Sequence, residues 1–223
     1  MRSMDIARDC PTRHDAVARL ARRLAALGAE AVRQSRPPSL AVSSRVESAV
    51  LADAFSRAFE EVRGLAESIH LFPSDTPLAA PREEDAPLAP LREKLGLRAG
   101  QVQLPEDTLD VVAAARAFES DLRRHFRLAG GALPAFDAIV LAPADLSSPR
   151  HADAAERLAT GVYNVSTGHC SVALTVASLA GARALVTFGP AEGAPRTARF
   201  PASFASRAEP IHWVAAPRAA QAA

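Results

Sequence analysis

The residues best suited to chemistry gather around the stretch Pro134 to Pro149, PAFDAIVLAPADLSSP. The apolar run Phe136 to Leu141 reads as a buried strand that stops at Ala142-Pro143, and a polar loop with Asp145, Ser147 and Ser148 follows. In open α/β folds, ligands bind where loops leave the carboxyl ends of strands. His151 and Asp153 come just beyond, an imidazole and a carboxylate to orient it. Such a pair can activate water near neutral pH, and it also suits the wet face of a short helix. Asp145 fits a site carboxylate or an ordinary turn or cap equally well, and Asp75, before Thr76-Pro77, reads as a turn residue or as part of a cleft. His169-Cys170 has the composition of a base and a nucleophile. Neighbours on a strand point to opposite faces, however, which favours a structural cysteine.

The elements that must position these groups follow from composition and periodicity. At 223 residues, 48% of them hydrophobic, the chain is expected to form one α/β domain over 1–223. Its formal net charge of +1 offers no bulk attraction to nucleic acid or to an anionic membrane. Cys10 and Cys170 are far apart and fit no metal spacing, so a reducing cytoplasm is expected, with no metal or organic cofactor. The charged N-terminus lacks the apolar core of a secretory leader, and no apolar run approaches the roughly 18 residues of a membrane span. Arginine and alanine usage suggests a GC-rich bacterial genome.

Thr12 and Asp15 are spaced as a capping box for a helix whose apolar stripe is Val17, Leu20, Leu24, Leu27 and Ala31, ending at Arg36-Pro37-Pro38. Strands are predicted at Ser39–Ser43 and Ile69–Phe72, with a helix from Val46 to Val62 between them. Five prolines between 73 and 90 predict a long surface loop, followed by a short helix at Leu88–Leu95 and a small strand near Val102–Leu104. Asp107 is the expected cap of a helix with the face Val111, Ala115, Phe118, Leu122 and Phe126. A short helical segment is expected around His151–Ala159. Beyond Gly161, β-type runs at 162–165, 171–175, 184–188 and 211–214 make the end strand-rich, and Tyr163 and Trp213 are expected to pack in the core or at a sheet edge. The alternation of strands and helices predicts a three-layer, Rossmann-like, mostly parallel sheet with helices on both faces.

Four stretches, in order, resemble the 6-phosphogluconolactonase family. They are Ala113–Phe126 with Pro134–Leu141; Ser171–Arg183 with Leu185–Gly189; Phe200-Pro201-Ala202-Ser203 with Trp213; and Leu71–Asp75. The resemblance implies the fold shared with glucosamine-6-phosphate deaminases, ribose-5-phosphate isomerases and coenzyme A transferases. It also implies hydrolysis of a phosphosugar lactone in the pentose phosphate route. The motifs that carry that reaction depart from the family's pattern. Where the family has Ser-Gly-Gly-Ser-Thr-Pro, whose glycine amides cradle the phosphate, this chain has Ser43-Ser44-Arg45-Val46-Glu47-Ser48. Asp-Glu-Arg becomes Asp75-Thr76-Pro77. The aspartate of Gly-x-Gly-x-Asp-Gly-His aligns with Asp145, while the histidine that serves as general base becomes Ser147. The family's phosphate-binding arginine is replaced at Cys170-Ser171, and its lysine falls near Gly193.

Two readings follow. In the first, the chain keeps the fold without ordinary lactonase activity and works by binding a sugar phosphate, another small anion or a protein partner. In the second, it is an active lactonase or a related ester or lactone hydrolase, with His151 as a relocated base beside Asp145 and Asp75. In either case the groups at the cleft are Ser43, Ser44, Arg45 and Ser147, with Arg196 and Arg199 able to reach its mouth.

Overall fold

Runs such as Leu40-Ala41-Val42 and Ile139-Val140-Leu141 have no polar face, so they are stable only when a sheet is covered on both sides. The computed structural model describes residues 5–7, 10, 12–78, 88–106, 108, 110–146, 157–164, 169–190 and 211–216. Six strands form one all-parallel sheet: β1 (Asp5–Ala7), β2 (Ser39–Val42), β3 (His70–Pro73), β5 (Ala138–Leu141), β8 (Leu185–Pro190) and β9 (Ile211–Ala216). Their spatial order is β1-β9-β8-β5-β2-β3. A second sheet of three antiparallel strands, in the order β4-β7-β6, contains β4 (Asp75–Leu78), β6 (Ala159–Asn164) and β7 (His169–Leu174).

The strand period sorts the core into two halves. Leu40, Val42, Leu71, Ala138, Val140 and Val186 face α1 (Arg13–Arg33), α2 (Ser48–Glu61), α3 (Leu65–Ser68) and α4 (Leu88–Lys94). Ala41, Phe72, Ile139, Leu141 and Leu185 face α5 (Val111–His125), the small sheet and α7 (Val176–Gly181). The expected capping box opens α1: the Asp15 amide donates to Thr12 Oγ1 at 3.1 Å, and the Thr12 amide donates to Asp15 Oδ2 at 3.2 Å. A 3₁₀ turn, Ala99–Gln101, and a four-residue helix, α6 (Pro143–Leu146), complete the order.

Several expectations are corrected. Part of the proline-rich loop is strand β4, and Asp75 is its first residue rather than a turn residue. Pro77 is tolerated there because β4 pairs on one side only, with β7. The helix at 111–125 is capped by Asp110, whose Oδ1 accepts from the Val112 and Ala113 amides at 3.0 Å. Ala159 opens β6, so the expected helix at His151–Ala159 does not extend that far, and its residues 151–156 lie outside the described ones. Between the expected strands at 171–175 and 184–188, residues 176–181 form a short helix, which Thr175 caps through the Ser178 amide. The expected strand at 102–104 is a single bridge from Val102 to Leu71. Tyr163 lies at a sheet edge, on β6, one of the two places expected for it, and is exposed there, not in the core. For Trp213 only the backbone is described, in β9.

At the amino ends of the strands, Asp137 is a buried clamp. It takes both forks of Arg36, one at 2.7 Å, together with the Ser39 amide at 3.0 Å, and Arg183 approaches to 3.8 Å. It thereby ties the end of α1 to the starts of β2, β5 and β8. Removing one partner of such a pair strands the other. Asp137→Ala is expected to cost about 3 kcal/mol in urea unfolding, whereas Arg57→Ala, which breaks the exposed pair with Asp53, should change stability by no more than about 1 kcal/mol. Equal effects would remove the clamp from this account.

Candidate functional site

Parallel pairing brings the exits of β2, β3 and β5 to one level. The Ser43 amide donates to Val140 O at 2.9 Å, and the Ser74 amide to Val42 O at 2.8 Å, so both loops leave while still tied to neighbouring strands. Five of the residues singled out from sequence meet here: Ser43, Ser44, Arg45, Asp75 and Asp145. Ser147, His151, Arg196 and Arg199 lie outside the described residues.

Asp75 is buried and organises the first loop. Its Oδ1 accepts from the Ser44 amide at 3.0 Å and from Ser74 Oγ at 3.2 Å, and its Oδ2 accepts from Ser44 Oγ. The Arg45 amide donates to Ser43 Oγ at 3.1 Å, and the Val46 amide donates to Ser43 O at 3.2 Å. Three successive amides are therefore satisfied from within the protein. Sequence reasoning missed Ser74, although a serine between a strand end and an aspartate is a visible signal for local side-chain bonding.

Arg45 does not open the following helix as expected. That helix starts at Ser48 with Glu47 as its cap residue, and Glu47 pairs with Arg13. The Glu47 side chain makes no hydrogen bond to the helix amides. The half-exposed Arg45 instead approaches Asp145, Nε to Oδ1, at 3.5 Å.

Asp145 combines its two sequence readings. Its Oδ2 accepts from the Ala142 amide at 2.8 Å, which closes the first turn of α6, and its carboxyl is also buried among site groups. Gly189 on β8 seats this turn: a Cβ there would lie 2.5 Å from Pro143 Cγ. Burial, and then the charge of Asp75, raise the Asp145 carboxyl above the usual aspartate range. The Ser43 hydroxyl, the Ala142 amide and Arg45 oppose that rise without cancelling it. The arrangement is a pair of buried carboxylates with one guanidinium at the rim. It can hold hydroxyls and move a proton.

His169 and Cys170 are successive residues of β7, and the partly buried Cys170 packs against the core as expected for a structural thiol.

A carboxyl whose folded-state pKa is raised binds its proton more tightly in the folded chain. Its ionisation therefore lowers stability as pH rises from the unfolded value through the folded one. Asp145→Asn is expected to raise the melting temperature by a few degrees at neutral pH, with the gain shrinking in acid. A loss at neutral pH, measured by thermal unfolding across pH, would contradict the described electrostatics.

No protein-family model matches the sequence, and no curated protein matches it. Solved structures do match in fold. The chain superposes on 6-phosphogluconolactonase from Trypanosoma brucei with a TM-score of 0.75 at 15% identity, covering 96% of each chain. The enzyme of that name from Shewanella baltica OS155 gives 0.70 at 15% identity, covering 95% of this chain and 97% of that one. A monomeric glucosamine-6-phosphate deaminase gives 0.67 at 10% identity, covering 94% and 96%. With the parallel sheet, its helical layers and the convergent loop exits, these likenesses establish that the chain has the 6-phosphogluconolactonase fold.

Proposed function

We propose that this chain is a divergent protein of the 6-phosphogluconolactonase fold that does not hydrolyse the phosphosugar lactone and acts by binding a ligand or partner. One observation carries the reading. The amides of Ser44, Arg45 and Val46, at the position where the resemblance implies a phosphate cradle, already donate to Asp75 and Ser43. An anion entering there would have to displace a carboxylate. A ligand of this cleft is held through hydroxyls or a cationic group, to which carboxylates are good acceptors. A sugar phosphate would be held by its sugar.

A second reading has its own support. A buried carboxyl raised above its ordinary range, with a guanidinium at 3.5 Å, suits general acid–base work. In that case the chain is an active lactone or ester hydrolase using Asp145, alone or with His151.

Hydrolysis of freshly generated 6-phosphogluconolactone separates the two readings, with the spontaneous rate as background and an intact lactonase as positive control. The expected rate is indistinguishable from background. A rate at least about tenfold above it, which corresponds to about 1.4 kcal/mol of barrier, would overturn the binding reading. If that rate were abolished in His151→Ala or Asp145→Asn, the base would be identified.

A further inference from the structure

The amino ends of the same strands carry a feature that the preceding reading does not use. A cavity of about 670 Å³ opens there, lined among others by Arg36, Glu67, Ser68, His70, Arg98 and Gln101. We propose that it binds a small ligand through one carboxylate or phosphate group, held by Arg98 with His70 beside it.

The charges decide where such a group sits. Arg36 is neutralised by the buried Asp137. Arg98 makes no ion pair among the described residues. Its Nε donates to Gln101 Oε1 at 3.1 Å and one amino group donates to Glu67 O at 2.6 Å, both uncharged acceptors. The positive charge and the other amino group are left for a ligand.

Gln101 aims that guanidinium and is itself buried. Its Nε2 donates to Ala66 O at 2.7 Å and Ile69 O at 3.1 Å, and its Oε1 also accepts the Arg98 amide at 3.1 Å. Its amide is bonded on both sides, so the arginine fork is held from a fixed base. Pre-ordering of this kind reduces the side-chain entropy lost on binding.

His70 adds the second part. Its Nδ1 is buried with no hydrogen-bond partner among the described residues, while the Gly100 backbone interacts with the same ring. Its ring lies 4.7 Å from the ring of His125 on α5, whose Nε2 is 2.8 Å from Ser39 Oγ. Burial first, and then the charge of Arg98, hold His70 below the usual histidine range, while the Gly100 backbone works the other way. His125, pushed down to about 4 by burial and then by His70, adds no charge at neutral pH. Arg36 is compensated, and Glu67 is an exposed carboxylate in the lining that weakens the binding of an anion. An anion on Arg98 therefore offsets the positive charge that, among the described residues, acts on His70, and binding is coupled to proton uptake.

Sulfate is a suitable probe because its charge does not change where histidine titrates. The intact chain is titrated with sodium sulfate against sodium chloride at matched ionic strength, and the His70 ring protons and the Gly100 amide are followed by NMR. Both resonances should shift saturably, with the His70 titration midpoint rising, while the Ser44 amide at the other end of the sheet stays in place. Arg98→Gln should weaken sulfate at least about tenfold and Glu67→Gln should tighten it about threefold. Arg98→Lys, which keeps the charge, should fall between the native chain and Arg98→Gln. Shifts that grow linearly without saturating, an unchanged affinity in Arg98→Gln, or a lysine variant no tighter than the glutamine one would each overturn the proposal.

Discussion

The register of β2 is the constraint from which both ends of the molecule follow. Leu40 is level with Leu71 on one side and with Ala138 on the other, and Val42 is level with Pro73 and Val140. All four β2 residues are buried. A slip of one residue would exchange Ala41 with Leu40 and Val42 between two cores of different shape, so the pairing is strongly specified. With the register fixed, Ser43, Ser74 and Ala142 must emerge together at one end. At the other end, Ser39, His70 and Asp137 begin together.

The two ends then handle charge in opposite ways. At the carboxyl end, Asp75 and Ser43 consume the loop amides, and Glu47 occupies the helix start. In a phosphate-binding loop, glycines leave those N–H groups pointing outward for the ligand. Here side chains with their own acceptors fold back onto them, and the loop satisfies itself. At the amino end, Asp137 neutralises Arg36 in a two-pronged pair, while Arg98 is steadied, among the described residues, by neutral groups. Donor satisfaction, more than charge count, separates a closed loop from a receptive one.

Asp145 illustrates what the tertiary structure adds to a residue type. As a bare loop aspartate it would ionise in water. Buried near Asp75 it is desolvated beside a like charge, and the Ser43 hydroxyl, the Ala142 amide and Arg45 compensate only in part. Such uncompensated electrostatics are usual at functional sites, where stability is given up for reactivity or binding.

The sequence by itself determined the layered α/β plan, the capping box of α1, and the buried strands at 39–42 and 138–141. These rest on local rules: helical and strand periodicity, cap spacing, and runs too apolar to face water. It also pointed to Asp145, in the loop after a strand end, and the family resemblance pointed to Ser43, Ser44, Arg45 and Asp75. It could not place β4 in a proline-rich stretch, since an edge strand owes its existence to a partner nearly a hundred residues away. The capture of the Ser44 amide by Asp75, across 31 residues, was equally out of reach. So was the Gln101 brace under Arg98, which depends on carbonyls at Ala66 and Ile69. Contacts between distant segments leave no local pattern, and only the register of the parallel sheet decided which polar groups would meet and which would be left with a donor to spare.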